Sequence, residues 1–217
     1  MVLLRRYCKI MSVVLLSVLL HPEYSSGSER VANVSGGIYG NVRDADGTPV
    51  ESVDVSIFDG LAIHNVKTDD QGIYKIPEIS VSPGNYAVLF FTKKGYIPII
   101  ANIRVEERKA VEYTTVVERS GDKKSGFVIG TVYQPIRGGK IKFQSGIYGF
   151  GKDRRVWLES ETGIVEKRSD MDGHFLFEVP PGKYRLGGEV TKEKAEVDVQ
   201  EGETVIKNLR SGLILID

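Results

Sequence analysis

The chain is poor in the residues that build redox, metal and nucleophilic centres. It has one cysteine, Cys8, and that residue stands ahead of an apolar run rather than within the body of the protein. If the leader is removed, no disulfide can form, although an exported protein would meet conditions that permit one. A zinc site built on thiolates is excluded for the same reason. There are three histidines, His21, His64 and His174, widely separated along the chain. They do not make the clustered ligand set that a catalytic metal needs. No phosphate-cradling glycine loop and no serine nucleophile elbow appears. Neither charge sign is in excess, with 29 basic against 29 acidic residues. Nothing in that balance advertises nucleic acid or an anionic membrane surface as a partner, and neither is expected. No helical period runs anywhere in the chain, and beyond residue 20 there is no second apolar run long enough to span a bilayer.

What is present begins with an export signature. Arg5, Arg6 and Lys9 precede the apolar stretch Ile10 to Leu20, and Tyr24-Ser25-Ser26-Gly27-Ser28 follows. These are the basic, apolar and small-residue regions of a secretory signal. Cleavage after Gly27 places Ser25 and Gly27 at the two small-residue positions and leaves 190 of the 217 residues. The expectation is an extracytoplasmic protein, periplasmic or secreted, with no membrane span after cleavage. The absence of a cysteine just after the apolar run argues against a lipid anchor.

The rest reads as short strands and tight turns. Residues 28–36 are small and polar, a flexible leader. Strands are expected at Ile38 to Arg43, Val53 to Ile57, Ala62 to Thr68, Ile73 to Ile76, Tyr86 to Thr92, Ile97 to Val105 and Ala110 to Val117. Tyr86 to Thr92 is apolar on both faces and reads as a central strand. The charged segment 119–125 is a linker. Phe127 opens a second set of strands, with Phe175, Phe177 and Val179 on one face of a strand and Ala195, Val197 and Val199 alternating with charged neighbours.

The second set repeats the first. Thr68-Asp69-Asp70-Gln71-Gly72-Ile73-Tyr74 parallels Ser169-Asp170-Met171-Asp172-Gly173-His174-Phe175. Pro83-Gly84-Asn85-Tyr86 parallels Pro181-Gly182-Lys183-Tyr184, and Gly40-Asn41-Val42 parallels Gly130-Thr131-Val132. A recurrence of turns and strand starts in one order means one small β-unit used twice. The fold class is all-β, two tandem antiparallel β-sandwiches. Domain 1 covers 37–118 and domain 2 covers 126–217, the latter with an insert at 134–155. The linker offers little to bury, so the two are expected to fold separately.

The run Gly-x-Val, Asp-x-x-Gly-x-Pro-Val, alternating Val-x-Val, Thr-Asp-x-x-Gly-x-Tyr and Pro-Gly-x-Tyr, spread over Gly40 to Phe91, resembles the carboxypeptidase regulatory-like family. That family groups with prealbumin-like and CnaB-like sandwiches. The resemblance implies a seven-stranded, extracytoplasmic, non-catalytic module without a cofactor. CnaB-like domains can carry a Lys–Asn isopeptide bond. Here Lys207 and Asn208 stand near the last strands, but Ile38 to Arg43 and Phe127 to Tyr133 hold no lysine to complete the pattern.

Two groups of residues invite a functional reading. Asp69 with Gly72 and Asp170 with Gly173 are read as structural turns, each Asp accepting bonds from backbone N–H groups and each Gly taking positive φ. Calcium is the sharper alternative for Asp170, Asp172 and Asp44 to Gly47, but the further spaced carboxylates and distal Glu of a calcium loop are missing. Phe143, Tyr148 and Phe150 of the insert, with Trp157 nearby, are candidates for a sugar-stacking face. The bland alternative is a hairpin that covers one end of the sandwich and uses its aromatics as core. The expected function is a non-enzymatic structural or protein-interaction module whose partner is an extracytoplasmic protein. A carbohydrate-binding protein is the alternative.

Overall fold

The computed structural model describes residues 34–217 except 61, 82–85, 123, 139–146, 190, 192–193, 213 and 217. The expected signal and most of the expected leader lie outside the described residues. So do Phe143 and Pro83-Gly84-Asn85.

The described chain is all strand and turn. In the first unit the strands are β1 (Val34–Asp44), β2 (Asp54–Phe58), β3 (Ile63–Lys67), β4 (Ile73–Val81), β5 (Tyr86–Thr92), β6 (Ile99–Arg104), β7 (Ala110–Glu112) and β8 (Thr115–Val117). One sheet has the order β4-β1-β7, with β8 also on β1; the other has the order β3-β2-β5-β6. Strand β1 starts inside the expected leader: Val34, Ser35 and Gly36 pair with Val81, Ser80 and Ile79. The closing segment is not one antiparallel strand. It divides into β7 and β8, and both run parallel to β1.

The second unit contains β9 (Gly126–Gly138), β10 (Ile147–Phe150), β11 (Arg155–Ser160), β12 (Gly163–Arg168), β13 (His174–Val179), β14 (Gly182–Gly188), β15 (Ala195–Val199), β16 (Thr204–Ile206), β17 (Leu209–Arg210) and β18 (Ile214–Ile216). Its sheets are β10-β9-β13, with β16, β17 and β18 parallel along β9, and β12-β11-β14-β15.

The two units share a hydrogen-bond pattern that goes well beyond the turn motifs. Val42 N donates to Gly72 O, as Val132 N does to Gly173 O. Val50 N returns to Val42 O, and Gly151 N returns to Val132 O. The return therefore closes after 8 residues in the first unit (42 to 50) and 19 in the second (132 to 151), which locates the extra chain and its strand β10. Thr68 Oγ1 accepts from Val53 N at 2.9 Å and donates to Val50 O at 2.7 Å. Ser169 Oγ does the same for Arg154 N at 2.9 Å and Gly151 O at 2.6 Å. Both hydroxyls are buried.

Each unit has its own core. Ile38, Val42, Val55, Ile57, Leu89, Phe91 and Ile103 are among the first; Val128, Val132, Leu158, Phe175, Phe177, Leu186 and Val199 are among the second. A third cluster lies between them. Phe58, Val88 and Phe90 from the first unit are buried against Phe127, Ile129 and Ile147 from the second, with Tyr86, Ile100, Tyr133, Phe150, Leu176 and Ile206 around them. The four sheets are therefore stacked in four layers, with apolar side chains filling all three gaps. This bears on the expectation of separately folding domains. Strand β5 is apolar on both faces because its two faces serve different gaps: Ala87, Leu89 and Phe91 point into the first core, Val88 and Phe90 into the joint.

Candidate functional site

Two places on this scaffold hold polar and aromatic side chains in a defined arrangement. The first is the outer face of the β12-β11-β14-β15 sheet. Along β11 the inward residues Val156 and Leu158 are fully buried, so Arg155, Trp157 and Glu159 point outward. Trp157 is paired across the sheet with Gly187 on β14 and Glu166 on β12. A Cβ at Gly187 would lie 2.7–2.8 Å from three atoms of the indole, so the ring rests on the bare backbone of the neighbouring strand. The Arg155 guanidinium lies 5.5 Å from the ring centroid, a cation–π distance. Arg155 also reaches Glu166 at 3.8 Å.

Further along the same face Glu159 accepts from Arg185 at 3.1 Å and is held by Lys194 at 2.5 Å. The Lys194 ammonium holds the Glu159 carboxyl below the ordinary carboxylate range. A shallow cavity of about 690 Å³ is lined there by Glu159, Glu161, Lys183, Arg185, Glu196 and Asp198. Across β11, Ile164 is 63% exposed. The face thus joins one indole, one exposed aliphatic side chain and charges of both signs.

The second place is the joint. Asn102 on β6 donates through Nδ2 to Asp172 O at 3.0 Å, and its Oδ1 lies 2.8 Å from His174 Nε2. On its other side His174 Nδ1 lies 3.8 Å from Asp170 Oδ2. Burial pulls the imidazole below its ordinary pKa, while the carboxylates of Asp170 and Asp172 pull it back up. Elsewhere between the two units, Gly95 N donates to Gly202 O at 3.1 Å, and Lys94 lies 3.8 Å from Glu203.

Of the candidate aromatics, Phe150 and Trp157 are not brought together. Phe150 on β10 joins the third cluster and meets Tyr86 edge to face at 5.6 Å. Trp157 belongs to the other sheet of the second unit, on its solvent side. Tyr148 lies on β10, next to the fully buried Ile147. His64 and His174 are also apart: His64 is on the edge strand β3, 3.5 Å from Asp59, whereas His174 contacts β6 at the opposite edge of that sheet.

At the turns, Asp69 Oδ1 accepts from Gln71 N at 3.0 Å and Ile73 N at 2.8 Å. Asp170 Oδ1 accepts from Asp172 N at 2.9 Å and His174 N at 2.8 Å. Gly72 and Gly173 have φ of 71° and 80°. Among the described residues no group of three or more His, Cys, Asp or Glu could hold a metal ion. Asn208 Oδ1 accepts from Thr131 N at 3.0 Å, so this side chain bonds the middle of β9 between its pairings with β16 and β17. The residues that the sequence reading passed over are Asn102, Gly187 and Arg155. The adjacent pair Gly187-Gly188 within a strand was the one local signal, since glycine there marks a close approach.

The chain is similar to several known proteins. The chain is 29% identical over 194 residues to the bone sialoprotein-binding protein of Staphylococcus aureus (strain MRSA252), covering 76% of the chain and 16% of that protein. It is 30% identical over 163 residues to the serine-aspartate repeat-containing protein E of Staphylococcus aureus (strain MSSA476), covering 67% of the chain and 14% of that protein. The chain therefore spans about a sixth of the length of these relatives. Among solved structures, the Bacillus anthracis TIE protein aligns with 82% of the chain and 34% of its own at 16% identity, with a TM-score of 0.33. The sequence model of the carboxypeptidase regulatory-like domain matches residues 37–118, the span of β1 to β8 with their connections. Residues 37–118 are a carboxypeptidase regulatory-like domain.

Proposed function

We propose that this chain is an exported, non-catalytic protein-interaction module, with residues 126–217 as a second copy of the domain and the outer face of the β12-β11-β14-β15 sheet as its docking surface. The observation that carries this reading is Trp157, seated over Gly187 with Arg155 against its ring. Trp and Arg are the side chains that most often dominate binding energy at protein interfaces. Ile164 extends the apolar contact, and the ion-paired Glu159, Arg185 and Lys194 set suits a polar rim. A relative named for binding bone sialoprotein supports a protein partner, and the signal-like leader supports a location outside the cytoplasm. Among the described residues no helix is long and apolar enough to cross a membrane.

Carbohydrate binding is the second reading. Its support is the same indole, since an aromatic ring on the solvent side of a sheet is also a stacking surface for a sugar. Both readings can be tested with one set of proteins. Wild type, Trp157→Ala and Ile164→Asp would be screened against a panel of extracellular-matrix and envelope proteins and against a glycan array. The first reading expects binding to at least one protein that both substitutions weaken by about tenfold or more, the scale of an interface hot spot. Glycan binding lost with Trp157→Ala, and no protein binding, would replace it with the second. Binding indifferent to both substitutions would remove this face from either.

A further inference from the structure

The joint inside the chain shows how two kinds of sheet face pack together. It sets the β3-β2-β5-β6 sheet, on the side away from its own core, against the β10-β9-β13 sheet on the side away from its own core. The ends of the stack carry one more face of each kind. The β12-β11-β14-β15 face corresponds to the first, and the β4-β1-β7 face corresponds to the second. Taking the Trp157 face as a docking surface, we propose that its partner is the β4-β1-β7 face of a second copy of this chain, joined as the two units are joined within it.

The bonds shared by the two units fix which residues correspond. Val53 N and Arg154 N make the same bond to Thr68 and Ser169, so Ser56 corresponds to Trp157 and Phe58 to Glu159. Across the sheet Ser56 pairs with Phe90, and Trp157 pairs with Gly187. An aromatic ring therefore stands at this cross-strand pair in both units, carried by opposite strands. In the first unit it is Phe90, buried in the joint; in the second it is Trp157, on the solvent side. Val42 and Val132 correspond in the same way, so Ile129 of the joint corresponds to Tyr39 and Tyr133 to Arg43. Tyr39 is 40% exposed on the side of β1 opposite the buried Ile38 and Val42. Ile73, which corresponds to His174, is 49% exposed on the neighbouring strand.

The charges also match. Phe58 meets Tyr133 across the joint at 4.9 Å. Between copies the same two positions hold Glu159 and Arg43, which are opposite in sign. Other apolar residues of the joint are exchanged for charged ones at the ends: Val88 for Arg185, Leu176 for Lys75 and Ile206 for Glu112. Ile147 and Phe150 of β10 have no equivalent in the first unit. The contact between copies thus buries less apolar surface and more charge than the joint does, which makes it reversible and sensitive to salt. Its two faces differ, so a pair formed this way keeps one free face at each end for further copies.

Sedimentation velocity tests this on residues 28–217, which hold every described strand and leave out the apolar run at 10–20. At about 50 mM salt the average sedimentation coefficient should rise with protein concentration up to about 1 mM, the range of weak complexes, and pass the dimer value. At about 500 mM salt it should fall back toward the monomer. Tyr39→Ala and Trp157→Ala should each weaken association by about tenfold or more. Mixed in equal amounts, these two variants supply one intact face each, so they should pair and grow no further. Arg43→Glu should also weaken association, and adding Glu159→Arg to the same chain should restore it. A monomer at every concentration, association that survives Tyr39→Ala, or a mixture that stays monomeric overturns the proposal. If a chain that stays monomeric binds another protein through Trp157, the docking surface stands and only the second copy is removed as its occupant.

Discussion

Thr68 and Ser169 hold the starts of β2 and β11, and each does so with one hydroxyl. Each oxygen accepts from a backbone N–H and donates to a backbone carbonyl while buried. Thr68→Val keeps the shape but leaves both backbone groups unpaired, which costs about 1–3 kcal/mol. Ser169→Ala should behave alike, and Thr68→Ser should be nearly silent. Urea midpoints at constant m-value would show it. The Asp-Gly turns make a similar case with a weaker first member. Asp69→Ala and Asp170→Ala each remove two backbone acceptor bonds at an exposed turn, so about 1 kcal/mol is expected. Gly72→Ala and Gly173→Ala should cost more, about 1–3 kcal/mol, because both residues have positive φ and a new Cβ would press on Val42 O or Val132 O. These turns were legible in the sequence because each acts within five residues. The hydroxyl bridges were not, because Thr68 and Ser169 reach backbone 15 to 18 residues away. Nor was the Asn102–His174 contact, whose partners are 72 residues apart.

At the level of elements, most strands could be read from alternation, and the exceptions have physical causes. Strand β12 carries no apolar alternation because all of it is exposed, Gly163 to Arg168, and only hairpin pairing with β11 makes it a strand. The doubly apolar β5 reads as a strand buried on both sides, which it is, but a sequence cannot say what covers the second side. The same holds for β9, where Phe127 and Ile129 face the joint and Val128 and Val132 face the second core. Trp157 is informative at this scale because its seat is another strand's missing side chain. Gly187→Ser should lift the indole off β14 without disturbing the core, because position 187 faces outward. Trp157 is the one tryptophan in the chain, so its emission should move to longer wavelength as the ring gains solvent. The fold should survive with a loss of about 1–3 kcal/mol, the usual range for overpacking. Unchanged emission would mean that the ring does not rest on Gly187.

For the whole molecule, the question is whether the chain behaves as two beads or as one body. The charged connector, taken alone, favours beads. The joint argues the other way, because Phe58, Val88, Phe90, Phe127, Ile129 and Ile147 are buried there, most of them completely. Cutting the chain at the connector would expose these side chains on both halves. Fully burying a large apolar side chain contributes about 1.5–3 kcal/mol, and a small domain has a total stability of only about 5–15 kcal/mol. Several such residues are therefore enough to couple the two cores. The full chain should unfold in urea as a single transition, with tyrosine and Trp157 signals coinciding, although Trp157 lies in the second unit alone. Residues 28–120 and 124–217 expressed apart should each be less stable than the whole and should bind a hydrophobic dye that the whole chain does not. The decisive variant is Phe90→Asp, which buries an unpaired carboxylate in the joint while leaving Leu89 and Phe91 in the first core. It should split the single transition into two. If the wild type already shows two transitions, with each half as stable alone as in the chain, the joint is a surface of contact without thermodynamic weight, and the two units are beads after all.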